Sequence, residues 1–429
     1  MLNIQVVLDD PEKVKQESEK KGYKVDIEKL LEVYQLRNKR LHVREDLKRK
    51  SNEISKKSKG PSEEAKKLKE ELAIARQAFR EADDEYIQRL KEVPNMPADD
   101  VPEGNSEADN VVVKEWGNKP KFDFAPKTHW EIAEQHDWID KERAAKVAGT
   151  RFAYIKGDLV RLQFALVQFV LEALTNEETL KKIIQNSGLK NVSPKPFIPV
   201  LPPAMIRTEV FKNMDRLEPQ DERYKVGSEE DDLWLQGSAE HTLGSMYTNE
   251  ILSAEDLPIR YLGYLTSFRR EAGSYGKDTE GIIRMHQFDK LEMESFTTPE
   301  QGLIEHLFFV AIQEYLMQQL NIPYHVLNKC KPDIGKPNAR GIDIEAWLPS
   351  QNKYLETHTA DYMTYYQARR LHTRIKNKDE HTVFAYTNDA TALAPGRTMV
   401  AIIENYQQAD GSVEIPEVLQ KYMGGQTEI

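Results

Sequence analysis

The sequence predicts an α+β protein in two parts: a long antiparallel coiled-coil hairpin, then a largely antiparallel sheet flanked by helices. Residues 27–93 hold a single helix-breaking pair, Gly60-Pro61. In the second half of that stretch apolar residues recur at heptad spacing. Through the middle of the chain, strand-like segments follow one another without regular crossover helices, which favours an antiparallel over a doubly wound parallel sheet.

The heptad seam reads Ala65, Leu68, Leu72, Ala75, Phe79, Ala82, Tyr86. A less regular stripe, Ile27, Leu30, Tyr34, Leu41, Leu47 and Ile54, precedes it. Two helices folded back at Gly60-Pro61 pair the stripes, and arms of roughly thirty residues reach about 45 Å at the helical rise. Ahead of the hairpin, Ile4 to Leu8 reads as a short strand and a short helix follows Pro11. Behind it, residues 94–120 are rich in Pro, Asp, Asn and Gly and read as a linker. The domain boundary is expected within that stretch, giving 1–110, with the arm at about 27–93, and 111–429. Helices are expected around 161–175, 177–187 and 299–320. Strands are expected at RYLGYLTSF, GIIRMHQFDKLEMESF, GIDIEAWLP, YLETHTADY and TALA.

At 429 residues the chain is long for one core. A net charge of −11 gives no general affinity for nucleic acid, so such a contact needs a local basic patch. One lies near the hairpin tip: between Arg37 and Gly60 ten Lys or Arg stand against three acids, +7 over 24 residues. Such a run points to a phosphate backbone, carried by Arg37, Lys39, Arg40, Arg44, Lys48 and Arg49. The single cysteine, Cys330, excludes internal disulfides and a multi-cysteine zinc site, and reads as a buried small apolar residue. The N-terminus lacks a basic region before an apolar one, and no apolar run approaches a membrane span. A cytosolic protein is expected.

The segment SFRREAGSYG, residues 267–276, places two arginines and a glutamate beside a glycine-rich loop. Arg269 and Glu271, two apart on a strand, share a face. When the strand resumes, Arg284, His286, Phe288, Lys290 and Glu292 form one face, and Ile283, Met285, Leu291 and Met293 the other. Arginine suits bidentate contact with phosphate or carboxylate, Phe288 offers a flat surface to a base, and Glu271 can accept from an exocyclic amine. Together they look built for a nucleotide. No GxGxxG or GxxxxGK[ST] loop occurs.

TSFRREAGSYGKDTEGIIRMHQFDKLEM resembles motif 2 of class II aminoacyl-tRNA synthetases in their seryl-tRNA synthetase form, and APGRTMVAIIENYQ resembles motif 3. The tail QQADGSVEIPEVLQKYMGG, the linker VPNMPADDVPEGNSEADNVVV and the basic hairpin are similar to the same family, so the resemblance spans nearly the whole chain. It implies a class II catalytic domain, ATP as substrate, magnesium as its metal and no zinc. By the same resemblance Arg269 holds the α-phosphate, Glu271 reads the adenine amine and Phe288 stacks on the adenine. Arg284 reaches the β- and γ-phosphates, and Arg397 clamps the γ-phosphate and the other adenine face. Arg269, Arg284 and Arg397 thus form the catalytic set, and Arg270, Thr357 and His358 accompany it at the nucleotide. Glu356 and Thr359 hold magnesium. Ser238, Ala239 and Glu240 contact the amino acid, with Glu292 and Thr391 completing the serine pocket. The hairpin grips the long variable arm of tRNA(Ser), with tRNA(Sec) as a second acceptor, in a homodimer without membrane contact.

Several positions depart from the bacterial pattern. Ser238 replaces Thr, ETHTADY stands for EISSCSN, and NDATALAPGR for NGSGLAVGR. Each departure at a proposed contact keeps a hydroxyl, and Thr391 adds a methyl that narrows the pocket. The expected activity is serine–tRNA ligase. The alternatives are a paralogue that activates another small amino acid or loads a carrier protein, and an inactive tRNA-arm-binding protein. His286 and His358 read as hydrogen-bonding supports rather than ligands.

Overall fold

The computed structural model describes residues 1–57, 63–228, 230–272, 281–376 and 381–429. The Gly60-Pro61 break, Lys59 and loop residues 273–280 lie outside the described residues, as do the side chains of Lys56 and Lys57. The chain divides into two compact units, Met1–Met96 and Pro97–Ile429.

In the first unit helices α1 (Ile4–Asp9) and α2 (Pro11–Lys20) precede the long helices α3 (Ile27–Lys57) and α4 (Glu63–Glu92). The strand expected at Ile4–Leu8 is therefore helical. The Asn3 side chain accepts from the Gln5 amide, and Asp10 caps α2, where Pro11 takes the first helical position. The heptad reading of α4 holds: Leu68, Leu72, Ala75 and Ala82 are buried. At the base Ile27, Leu30 and Val33 pack in, and the rings of Tyr34 and Tyr86 meet at 5.5 Å between centroids. Helices this polar draw their stability from that shared seam, at about 1.5–3 kcal/mol for each fully buried Leu or Ile.

The second unit has an eight-stranded sheet. The strands of that sheet and the longer helices around it, in chain order, are β1 (Val111–Trp116), α5 (Asp158–Leu174), α6 (Glu177–Ser187), β2 (Ile198–Val200), β3 (Ile259–Phe268), β4 (Gln287–Thr297), α7 (Gly302–Gln319), β5 (Tyr324–Asn328), β6 (Arg340–Leu348), β7 (Lys353–Thr364), β8 (Tyr386–Leu393) and α8 (Pro395–Tyr406). The strand order is β1-β5-β6-β7-β8-β4-β3-β2, and only the edge pair β2–β3 is parallel. The antiparallel reading is correct. Alternation along β4 buries Leu291 and Met293 in a core that includes Leu166, Phe308, Ile312, Leu316, Val400 and Ile403. Arg260 and Glu305, both nearly inaccessible, tie β3 to α7, and Arg260 also donates to the Ser193 and Lys195 carbonyls. Every polar atom named there has a partner, which such burial requires.

The stretch read as a linker is not free. Ala98 N donates to Ala339 O, Asn328 Nδ2 to Asp100 O, and β1 pairs with β5 as a sheet edge. Its Pro- and Gly-rich composition reflects an irregular path fastened to the sheet.

Candidate active site

Between β3, β4, β7 and the start of α8 lies a cavity whose walls include Arg269, Glu271, Arg284, Phe288, Lys290, Glu356, Thr357, Thr359, Thr391 and Arg397. Most of the nucleotide residues read from the sequence are thus brought together, though not always for the expected reason. The β3–β4 ladder ends at Phe268 and Gln287, and Glu271 adopts a left-handed φ of +52°. Arg269 and Glu271 therefore share the cavity because the chain turns, not because a strand alternates. Likewise Arg284 and His286 precede β4: Ile282 and Ile283 dip into the core there, and His286 N donates to Arg151 O. The strand expected from Gly281 starts only at Gln287.

Arg269 is held from two sides. Its Nε donates to Gly237 O at 3.0 Å, and its guanidinium lies 5.3 Å from the Phe288 ring centroid. His286 Nδ1 lies 2.9 Å from Arg269 O, a support to the backbone. Arg284 pairs with Glu271 at 2.7 Å, and Arg397 with Glu356 at 2.8 Å. Arg223, absent from the sequence reading, lies behind Arg269. Burial, then Arg269, pushes its guanidinium down to about 10. Cations crowded this closely favour an anionic ligand. The cavity wall also includes Ala394, Gly396 and Arg397, where α8 begins, and the positive end of that helix adds to the field.

Glu356 and Thr359 are three apart on β7 and would face opposite ways on a regular strand. The register slips between them: Ile344 pairs with His358 but Glu345 with Glu356, leaving Thr357 as the extra residue. That bulge turns Glu356 and Thr359 to one wall. Nearly half of the Glu356 side chain is exposed, so burial does little to raise its carboxyl, and Arg397, Lys329 and Arg269 hold it below its ordinary range. His358 lies off the wall, buried, with Nδ1 2.8 Å from Thr357 Oγ1, and burial lowers it to about 4. Arg270 is exposed, with its guanidinium over Tyr224 rather than in the cavity.

Beneath Lys290 is a buried polar cluster. Lys290 Nζ lies 2.5 Å from Glu292 Oε2 and donates to Ser238 Oγ at 3.0 Å, and Ser238 Oγ donates to Glu292 at 3.3 Å. Burial pushes the Glu292 carboxyl up to about 7, against the pull of Lys290. Thr391 pairs across the ladder with Glu292. Ala239 packs against the Leu243 cluster, while Glu240 sits beside His241 at 3.3 Å. Gly263, opposite Glu292, lets the short helix Glu240–Leu243 close onto the sheet: a Cβ there would fall 2.7 Å from Leu243 Cδ1. Lys290 was on the named strand face but had no role. Its signal was alternation with Glu292.

In the arm, Arg37 pairs with Asp83 at 2.8 Å, Arg40 donates to Ala78 O, and Arg44 stacks 4.1 Å from the Phe79 centroid. These three are half-buried across the hairpin, whereas Lys39, Lys48 and Arg49 are exposed.

A helical hairpin, an antiparallel sheet and an arginine-lined cavity at the β3–β4 hairpin define a class II aminoacyl-tRNA synthetase. Residues 224–406 match the tRNA synthetase class II core domain (G, H, P, S and T), and residues 1–97 the seryl-tRNA synthetase N-terminal domain. The chain belongs to the seryl-tRNA synthetase family. It is 38% identical to the serine–tRNA ligase of Thermodesulfovibrio yellowstonii and 36% to that of Nitrosopumilus maritimus, covering 99% and 100% of each pair. The seryl-tRNA synthetase of Pyrococcus horikoshii, solved in complex with ATP, superposes with a TM-score of 0.87 at 32% identity, over 100% of this chain and 99% of that one. Among the described residues no helix is long and apolar enough to cross a membrane.

Proposed function

We infer that the chain is a serine–tRNA ligase, which activates serine with ATP and transfers it to tRNA(Ser), with tRNA(Sec) as a second acceptor. One observation carries the reading. An arginine-lined cavity that includes Phe288 adjoins, through Lys290, a buried Ser238–Lys290–Glu292 cluster whose polarity suits serine.

In this reading the serine carboxylate attacks the α-phosphorus in line and pyrophosphate leaves. The nucleophile is already ionised, so no general base is needed, and catalysis rests on position and charge. Arg269 steadies the α-phosphate, Phe288 carries the adenine and Glu271 accepts from its amine. Arg284 and Arg397 take the charge that builds on pyrophosphate. Their pairing with Glu271 and Glu356 keeps both arginines at the wall. Ser238, Ala239, Glu240, Glu292 and Thr391 receive the amino acid, and a substrate lacking the hydroxyl leaves buried acceptors unpaired. Glu356 and Thr359 would hold magnesium, since a carboxylate and a hydroxyl on one wall, with phosphates and water, form the all-oxygen set that ion prefers. When bound, it neutralises phosphate charge. A ribose hydroxyl of the terminal adenosine then attacks the seryl carbonyl and AMP leaves. The basic arm grips tRNA by shape and backbone. A cytoplasmic homodimer belongs to the same reading.

Charging of tRNA(Ser) transcript with radiolabelled serine tests this. Charging of that transcript, and none of a tRNA with a short variable arm, is expected. Equal charging of both would contradict the role of the arm.

A further inference from the structure

The β7–β8 ladder stops at the active site. It runs from Thr364/Thr387 to Ala360/Ala390 and goes no further, while β7 continues along β6 and β8 along β4. The next residues, Thr359 and Thr391, both line the cavity. Their backbone carbonyls, at the point where the strands part, share one donor. Gln313 Nε2 donates to Thr359 O at 2.8 Å and to Thr391 O at 2.9 Å. Gln313 is inaccessible on α7, among the core residues Phe309, Ile312 and Leu316.

A primary amide has two hydrogens on one nitrogen, so a single side chain can satisfy two carbonyls at a fixed separation. Here it replaces a ladder rung with a wider one. A direct rung would bring β7 and β8 to ordinary strand spacing and narrow the cavity between their side chains. An apolar residue at 313 would leave two buried carbonyls without a partner, each an unfavourable burial.

We propose that Gln313 is a positioning residue for the ligase reaction: its carboxamide sets the gap between Thr359, on the strand that would hold the metal, and Thr391, on the strand that lines the serine pocket. It touches neither substrate. Through it, the distance between the phosphate end of the nucleotide and the amino acid is built into the sheet. The inference rests on the serine–tRNA ligase reading.

The test uses the full-length chain with Gln313→Met, which keeps length and removes both donors, and Gln313→Asn, which keeps the amide one carbon short. Leu316→Ala, one turn along α7, removes core packing but no hydrogen bond to the Thr359 or Thr391 carbonyl. Two readouts are taken: the serine KM in pyrophosphate exchange, and metal-free binding of a non-reactive seryl-sulfamoyl adenosine, which fills both subsites. Gln313→Met is expected to weaken analogue binding and raise the serine KM by about 10–100-fold, the scale found when supporting groups around a site are lost. Gln313→Asn should do so less, and Leu316→Ala should lower Tm with both readouts within about twofold of wild type. Wild-type values in whichever Gln313 variant folds, or an equal shift in Leu316→Ala, would overturn the proposal. Absence of serine-dependent exchange in the wild type would instead overturn the reading beneath it.

Discussion

Arg397 Nη1 lies 2.8 Å from both the backbone oxygen and the side-chain Oε1 of Glu356, so the first turn of α8 is fastened to the bulged stretch of β7. Both residues line the cavity, and in the proposed reading the arginine is held where pyrophosphate charge would develop.

Replacing Arg397 or Arg269 with Ala should lower kcat for pyrophosphate exchange by about 10²–10³-fold, the usual loss for one preorganised charge-stabilising donor. Tm should change little, because both side chains border the cavity rather than fill the core. Steady-state exchange with a melting curve checks both, and a variant within threefold of wild type would remove that arginine from the catalytic set.

If Glu292 receives serine as proposed, serine binding should depend on pH. Burial pushes its carboxyl up to about 7, and in the proposed reading the ionised form accepts from serine. Below that pH kcat/KM for serine should fall by about tenfold per unit, with one proton taken up. Glu292→Gln should give a lower and flatter profile between pH 6 and 8. An unchanged slope would assign the titration to another group.

Glu294 and Asp389 stand directly opposite on β4 and β8, and Asp389 is also paired across the ladder with Asp361. Arg216 reaches Asp389 at 3.3 Å and Asp361 at 3.7 Å. Burial and then Asp389 raise Glu294 well above the ordinary range, and burial raises Asp389 despite Arg216. A carboxyl whose folded pKa is raised opposes folding increasingly as pH climbs above its unfolded value, because only the unfolded chain then releases the proton. Glu294→Gln should therefore raise Tm by about 2 °C or more at pH 8 and by little at pH 4. A Tm gain that is the same at both pH values would show that charge is not the cause.

In the proposed reading the arm serves tRNA charging and not serine activation. Lys39→Glu, Lys48→Glu and Arg49→Glu together should cut kcat/KM for tRNA(Ser) by about 100-fold at 0.15 M salt, and should leave exchange intact. Those three are exposed, whereas Arg37, Arg40 and Arg44 are engaged across the hairpin, and changing them would also disturb the arm. Loss of exchange in the triple variant would contradict this division.

Regular periodicity was readable and local geometry was not. The seam through Leu68, Leu72 and Ala75 and the alternation of Leu291 and Met293 follow from one residue's spacing to the next. Ile4–Leu8 misled because five residues carry too little period to tell a strand from a helix, and the Asn3 and Asp10 caps decided it. Arg269, Glu271 and Phe288 stand out by their side-chain chemistry, and Glu356, Thr359 and Arg397 only through motif resemblance. Only the structure shows that a left-handed residue at Glu271 and a bulge at Thr357 bring them to one wall. Lys290 is not singled out by the sequence because its second partner, Ser238, is distant along the chain although Glu292 is two residues away, and Gln313 because its acceptors are backbone carbonyls. Glu294, Asp361 and Asp389 sit in three separate strands and meet only in register.

The most direct test of the serine–tRNA ligase reading is ATP–pyrophosphate exchange by the purified chain with magnesium, each of the twenty amino acids supplied singly. Exchange with serine alone is predicted. Exchange with a different amino acid would keep the reaction class and overturn the substrate, and silence with all twenty would contradict catalysis and leave a tRNA-arm-binding protein.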